Sequence, residues 1–298
     1  MITIGLVRRS FARKTFIKKP LAGGLALATA LLLAIAITAA GRGDTPEAEH
    51  LALSGGRSAL MIAGGPARPA VIYLHAAGES AAEALRFSGF AETAARHGMA
   101  AVFGQSRDGF WGFRGFTGHD DGADEAYVLE LRERLVARGL GPVYLAGMSN
   151  GGFAAADIAC AHPGLFAGLG LIASGVPRRV GDLCREPPAR FVAIVGDGDG
   201  VTPLAGGVGA AVFAGPLWGL TDMRRFAHIE GEGAHLSTPA SGNARDATVY
   251  GEVGGPARIY IVHGGGHLVF NEDLWRRRLL PRRWLFLASE KVIGSFWP

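Results

Sequence analysis

The sequence predicts an α/β chain with a mostly parallel central sheet and helices on both faces, and three observations carry that expectation. First, short and nearly continuous apolar runs recur: AVIYL (70–74), MAAVF (99–103), PVYLA (142–146), LFAGLGLIA (165–173), RFVAIV (190–195) and ARIYIV (257–262). Runs of this kind fit strands buried on both faces. Second, helical patterns lie between several of them, so strand and helix alternate, which favours parallel pairing through right-handed crossovers. Third, 298 residues that are 49% hydrophobic and only 19% charged can bury an enzyme-sized core and do not describe a disordered chain. In such sheets functional sites sit at the carboxyl ends of the strands.

The elements follow in order. HLALSGGRSALMIA (50–63) reads as an opening hairpin around Ser54-Gly55-Gly56. Residues 81–97 read as one helix. In the next, Tyr127, Val128, Leu131 and Leu135 share a face of a segment that stops at Gly139. A third helix is expected from Asn150 to about Ala161, and Phe286 to Phe296 looks like a closing helix. Trp218 is expected in the core. Arg276, Arg277, Arg278, Arg282 and Arg283 surround Pro281 and read as a solvated face.

The formal charge of +4 is unevenly placed. Residues 1–40 hold Arg8, Arg9, Arg13, Lys14, Lys18 and Lys19 without one acidic residue, leaving 24 basic and 26 acidic side chains elsewhere. The basicity therefore belongs to a leader, and the rest of the chain has no footprint for nucleic acid. LAGGLALATALLLAIAITAA (21–40) is a charge-free run ending in small residues, the pattern of an export signal, and VRRSFARK resembles a twin-arginine signal. Cleavage near Ala40 is the expectation. An uncleaved membrane anchor is the other reading, since twenty apolar residues can span a bilayer. Either way residues 45–298 are exported to the periplasm or beyond, and residues 41–298 are expected to form a single domain, a monomer.

PVYLAGMSNGGFAAADIA carries the chemistry. It runs from an expected strand through Gly147-Met148-Ser149-Asn150-Gly151 into an expected helix. The G-x-S-x-G pattern alone is common in a chain with 46 glycines, but a sharp strand-to-helix turn is the context that lifts a serine hydroxyl above a sheet edge. A serine hydroxyl is a poor nucleophile at neutral pH, so a base and an orienting carboxylate must follow, in the order Ser, acid, His. RFVAIVGDGDGVTPLAGG supplies Asp197 and Asp199, and ARIYIVHGGGHLVF supplies His263 and His267. His267 is the better base, because three glycines before it let a loop deliver the imidazole; His263 ends its strand and reads as a wall or structural residue. An oxyanion needs two backbone donors, expected from Asn150 and from Ala77 in the loop Leu74-His75-Ala76-Ala77-Gly78. His75 is expected to shape that loop and to take no part in proton transfer. No cysteine lies in a C-x-x-C and no histidines show ligand spacing on one helix, so no metal is expected.

Four stretches in this order resemble the secreted polyhydroxybutyrate depolymerase and feruloyl or acetylxylan esterase family of α/β-hydrolases: LHAAGES, AGMSNGGFAAADIACAHPGLFAGL, CREPPARFVAIVGDGDGVTPLAGG and IVHGGGH. The resemblance spans about residues 57–296. It implies an α/β-hydrolase fold and a carboxylic ester hydrolase with Ser149, His267 and Asp199 as its triad and no cofactor. D-G-V-T-P-L-A-G-G is the stretch that favours Asp199 over Asp197. Trp111 resembles a position lining the family's substrate cleft, beside His75, with simple packing in the core as the equal alternative, and Cys160 and Cys184 match a cysteine pair that exported proteins can oxidise. Ala76 departs from the family's glycine, and Leu268-Val269-Phe270 from its Trp-Pro-Gly turn. Without a binding module or Ser/Thr-rich linker, a small or oligomeric ester is the expected substrate. A peptidase on the same fold and a binding protein that has abandoned catalysis are the alternatives.

Overall fold

The computed structural model of the chain describes residues 47–65, 69–119, 121–181, 183–236, 247–252, 254–267 and 288–296. The leader with its anchor alternative, the arginine cluster at 276–283, the Leu268-Val269-Phe270 departure and the start of the closing helix lie outside the described residues.

The six apolar runs become the six parallel strands at the centre of a ten-stranded sheet. They are β3 (Ala70–Leu74), β4 (Ala100–Gly104), β5 (Val143–Met148), β6 (Leu169–Ile172), β7 (Phe191–Gly196) and β10 (Ala257–Val262). The opening hairpin forms β1 (Glu49–Ala52) and β2 (Ser58–Ile62), antiparallel with Leu51 opposite Ala59. Two strands that the sequence did not reveal, β8 (Ala234–Leu236) and β9 (Ala247–Tyr250), close the far edge. The order is β1-β2-β4-β3-β5-β6-β7-β10-β9-β8.

Alternation along each strand explains the apolar runs. Ile72 and Leu74 enter one core and Val71 and Tyr73 the other, because successive side chains point to opposite faces. Helices cover both. The expected helix over 81–97 is two helices, α1 (Ala81–Phe87) and α2 (Phe90–Arg96), a correction with a plain cause: Gly89 sits at φ 73°, which breaks the ladder. Ser80 and Glu83 form a capping box at the start of α1. Helix α3 (Ala123–Ala137) buries Tyr127, Val128, Leu131 and Leu135 and stops before Gly139 at φ 76°. Helix α4 (Asn150–Ala161) is buried from Asn150 to Cys160 between strands and loops. Short helices α5 (Arg178–Gly181) and α6 (Leu220–Phe226) follow, and Trp218 packs on Phe226 with ring centroids 5.4 Å apart. Helix α7 (Ala288–Phe296) closes the second face, where Tyr144 donates its hydroxyl to the Phe296 carbonyl at 2.8 Å.

Cys160, near the end of α4, is bonded to Cys184, which follows α5; their Cα atoms are 4.6 Å apart and they are 24 positions apart in sequence. A crosslink of that span stabilises by about 3 kcal/mol, chiefly by restricting the unfolded chain. Replacing both cysteines by serine is expected to lower the denaturation midpoint accordingly and to steepen the denaturant slope, because the unfolded chain without the crosslink exposes more surface. An unchanged midpoint would contradict this.

Candidate active site

The geometry begins at the turn between β5 and α4. Ser149 has φ 51° and ψ −119°, a conformation that costs free energy for a residue with a side chain. Three backbone interactions hold it there: its N–H donates to the Ile172 carbonyl at 3.0 Å, and its own carbonyl accepts the Phe153 N–H and the Ser174 hydroxyl, each at 3.0 Å. Glycine is required at two neighbours. A methyl group on Gly147 would collide with the Gly151 carbonyl, and one on Gly151 with the carbonyls of Leu74 and His75. The second contact presses the loop after β3 against the start of α4.

Three side chains from the ends of β5, β7 and β10 meet at this turn. His267 lies with Nε2 2.8 Å from Ser149 Oγ and Nδ1 2.9 Å from Asp199 Oδ2. A carboxylate only accepts, so Nδ1 carries the proton and Nε2 is left to accept the serine hydroxyl hydrogen. Asp199 is itself fixed: Oδ1 accepts the N–H groups of Val201 at 2.8 Å and Thr202 at 2.9 Å, and Oδ2 accepts the Thr202 hydroxyl at 2.6 Å. Burial pushes its carboxyl upward, but the His267 and Thr202 hydrogen bonds and the His267 charge outweigh that and hold it below the ordinary aspartate range. The Asp199 side chain exposes no surface, whereas the His267 side chain is 20% exposed, so the imidazole has a solvent-facing side.

Two backbone N–H groups in the two segments that meet at this turn remain uncommitted. The first intrahelical bond of α4 runs from the Phe153 N–H, so the Asn150 N–H precedes the helix ladder and is free of it. In the loop after β3, Ala76 donates to Glu79 Oε2 at 3.1 Å, Gly78 to the Gly109 carbonyl at 2.8 Å and Glu79 to the Ala76 carbonyl at 3.2 Å. The Ala77 N–H, between them, has no acceptor among the described residues.

The other expected residues divide. Asp197 and His263 pair with each other, Nδ1 to Oδ2 at 3.0 Å, at an exposed position outside the Ser149 chain. His75 and Trp111 expose no surface, which corrects the expectation that His75 lines the cleft and favours packing over cleft lining for Trp111. They stand behind it. His75 donates from Nδ1 to the Ala76 carbonyl at 2.8 Å and accepts the Ser106 N–H at Nε2 at 3.3 Å; burial lowers its pKa, consistent with a neutral ring. Trp111 donates from its indole to the His75 carbonyl at 3.1 Å.

Three functional contacts escaped sequence reading. The Asn150 side chain grips the Trp111 backbone twice, accepting its N–H at 2.7 Å and donating to its carbonyl at 3.0 Å. The buried chain Asn150, Trp111, His75 thus joins the two segments that carry the free amides. Thr202 was legible in principle, because Asp-x-x-Thr is a local turn signature. Ser174, which steadies the Ser149 carbonyl, has no sequence signal. Among the described residues no group of three or more His, Cys, Asp or Glu side chains could hold a metal ion, and no helix is long and apolar enough to cross a membrane.

The fold has counterparts among solved structures. An acetyl xylan esterase from Aspergillus awamori superposes with a TM-score of 0.54 at 12% identity, covering 78% of this chain and 100% of that one. Est1E from Butyrivibrio proteoclasticus gives 0.50 at 12% identity, over 83% and 98% of the two chains. The fold is that of the α/β-hydrolases. At such identities the likeness concerns fold alone. One curated relative, "Putative esterase NocK" of Nocardia uniformis subsp. tsuyamanensis, is 30% identical over 145 residues. That stretch is 47% of this chain and 42% of the relative, so the match spans less than half of the relative's length. No family model matches the chain.

Proposed function

We propose that the chain is an exported serine esterase that cleaves carboxylic esters through an acyl-enzyme, with the polyhydroxybutyrate oligomer, feruloyl and acetyl esters of the resembling family as its substrate range. The observation that carries the reading is the hydrogen-bonded chain from Ser149 Oγ through His267 to Asp199, set on a strained turn. The likeness of its fold to two solved esterases and the partial match to a curated esterase support it. The twin-arginine-like leader supports export.

In this mechanism Ser149 attacks the ester carbonyl carbon while His267 Nε2 removes the hydroxyl proton. Asp199 holds the Nδ1 proton and stabilises the imidazolium. The amides of Asn150 and Ala77 donate to the oxyanion of the tetrahedral intermediate, in a setting where such donors are worth about 3 to 4 kcal/mol each. Collapse breaks the bond to the alkoxy oxygen, which takes the proton from His267 Nε2 and leaves as the alcohol. Water then gives a proton to His267 and its oxygen to the acyl carbon, and Ser149 departs with that proton restored.

A panel of p-nitrophenyl acetate, butyrate and octanoate, methyl ferulate, 3-hydroxybutyrate oligomers and a peptide anilide tests this. Turnover is expected on at least one ester and not on the anilide. Cleavage of the anilide alone would favour a peptidase, and silence across the panel from folded protein would contradict the esterase reading.

A further inference from the structure

Asp197 and His263 have the right types for a catalytic acid and base, lie within four positions of Asp199 and His267, and yet pair with each other. Their contacts explain what they do. The Asp197 carboxylate takes two donors from consecutive residues of the histidine loop: His263 Nδ1–H at Oδ2, 3.0 Å, and the Gly264 N–H at Oδ1, 2.5 Å. The other ring nitrogen of His263 lies 2.9 Å from Thr248 Oγ1 on β9, so the pair ties together the ends of three strands. Backbone bonds run alongside, from the Asp197 N–H to the Val262 carbonyl at 3.2 Å and from the Gly198 N–H to the Gly265 carbonyl at 2.9 Å. The two loops lie so close that a methyl group on Gly196 would strike the Gly265 carbonyl.

The need for such a clasp is written in the sequence between it and the base. Gly264, Gly265 and Gly266 are three consecutive residues with no side chains, and a glycine run has more conformational entropy to lose than any other before His267 can be held in one place. Gly264 sits at φ 63°, and its N–H is the one Asp197 holds. The acid is delivered from the same short loop, two residues beyond Asp197. Fixing residues 197 and 263–264 to each other therefore fixes the frame in which the carboxylate of Asp199 and the ring of His267 must meet.

We propose that Asp197 and His263 are positioning residues that clasp the acid loop to the histidine loop and so align Asp199 with His267. The pair is about two-fifths exposed on each side, so its effect comes through geometry more than through charge attraction. This inference rests on the esterase reading for its kinetic arm and not for its spectroscopic one.

The test uses the whole protein and five variants, one of them double. Asp197→Ala and His263→Ala are each expected to lower kcat roughly tenfold, with KM within about twofold, because a small misplacement of a catalytic group slows the step without weakening substrate binding. Asp197→Asn, which can still accept the Gly264 N–H and donate to His263, is expected to restore more than half of the wild-type rate. In an Asp199→Asn background Asp197→Ala should cost less than about twofold, since a clasp that works through that hydrogen bond has nothing left to align. A merely structural pair would cost the same in both backgrounds, and that result, or unchanged kcat in both alanine variants, would overturn the proposal. Independently of turnover, the downfield proton resonance of His267 Nδ1–H is expected to broaden or vanish in Asp197→Ala and persist in Asp197→Asn. A protein that hydrolyses no ester but shows this pattern would refute the esterase reading and leave the clasp standing; a resonance unchanged in Asp197→Ala would refute the clasp.

Discussion

Asp199→Asn is expected to lower kcat by on the order of 10³ to 10⁴-fold without unfolding the protein, and the reason lies in which way the new amide must point. Asp199 Oδ1 accepts two backbone N–H groups, from Val201 and Thr202. An asparagine can satisfy those donors only with its carbonyl oxygen in that place. Its NH₂ group must then occupy the position of Oδ2 and face His267 Nδ1. That nitrogen becomes the acceptor, the imidazole proton moves to Nε2, and Nε2 can no longer accept the Ser149 proton. The variant thus keeps the shape of the site and inverts its tautomer. Steady-state kinetics on the best ester, with the thermal midpoint measured alongside, check the prediction. A loss below about tenfold in folded protein would show that Asp199 is not the orienting carboxylate.

The same tautomer logic shows how far the sequence could be read. The six central strands were legible because parallel strands buried on both faces leave apolar runs such as AVIYL, and Ser149, Asp199 and His267 were legible as candidates because each follows one of those runs in a fixed order. What the sequence concealed has physical causes. Strands β8 and β9 are three and four residues long, too short to print a period. The break at Gly89 was hidden because Phe90, Ala91 and Ala94 continue the apolar pattern of the preceding helix into a second one. Trp111 and His75 were placed at the cleft by resemblance, whereas their hydrogen bonds draw them beneath it, into a network whose key contact is made by the Asn150 side chain. A side chain that bonds a distant backbone leaves no local spacing to detect. The pairing of Asp197 with His263 was equally hidden, although both residues were visible as candidates.

Residues 1–40 account for the overall +4 charge, and the residues that follow carry slightly more acid than base. The site itself gathers Asp199 and, in the loop after β3, Glu79, whose carboxyl is pushed above its ordinary range by burial, against the pull of the Ala76 N–H and with the charge of His267 drawing it back. The proposed chemistry therefore depends on local groups held in place by backbone, and in it Ser149 is the one that must form a covalent bond.

Labelling with a fluorophosphonate tests that requirement most directly. The wild-type protein is expected to gain one phosphonyl group, mapped by mass spectrometry to the peptide containing Ser149, and to lose esterase activity in step. Ser149→Ala removes the nucleophilic oxygen from a side chain that is 5% exposed, at a backbone held by Ile172, Phe153 and Ser174, so it is expected to fold as the wild type does and to take up no label. Its ester turnover should fall by on the order of 10⁶-fold, to the level left by the oxyanion donors and binding alone. Stoichiometric labelling that persists in Ser149→Ala would contradict Ser149 as the nucleophile and, with it, the account of the site.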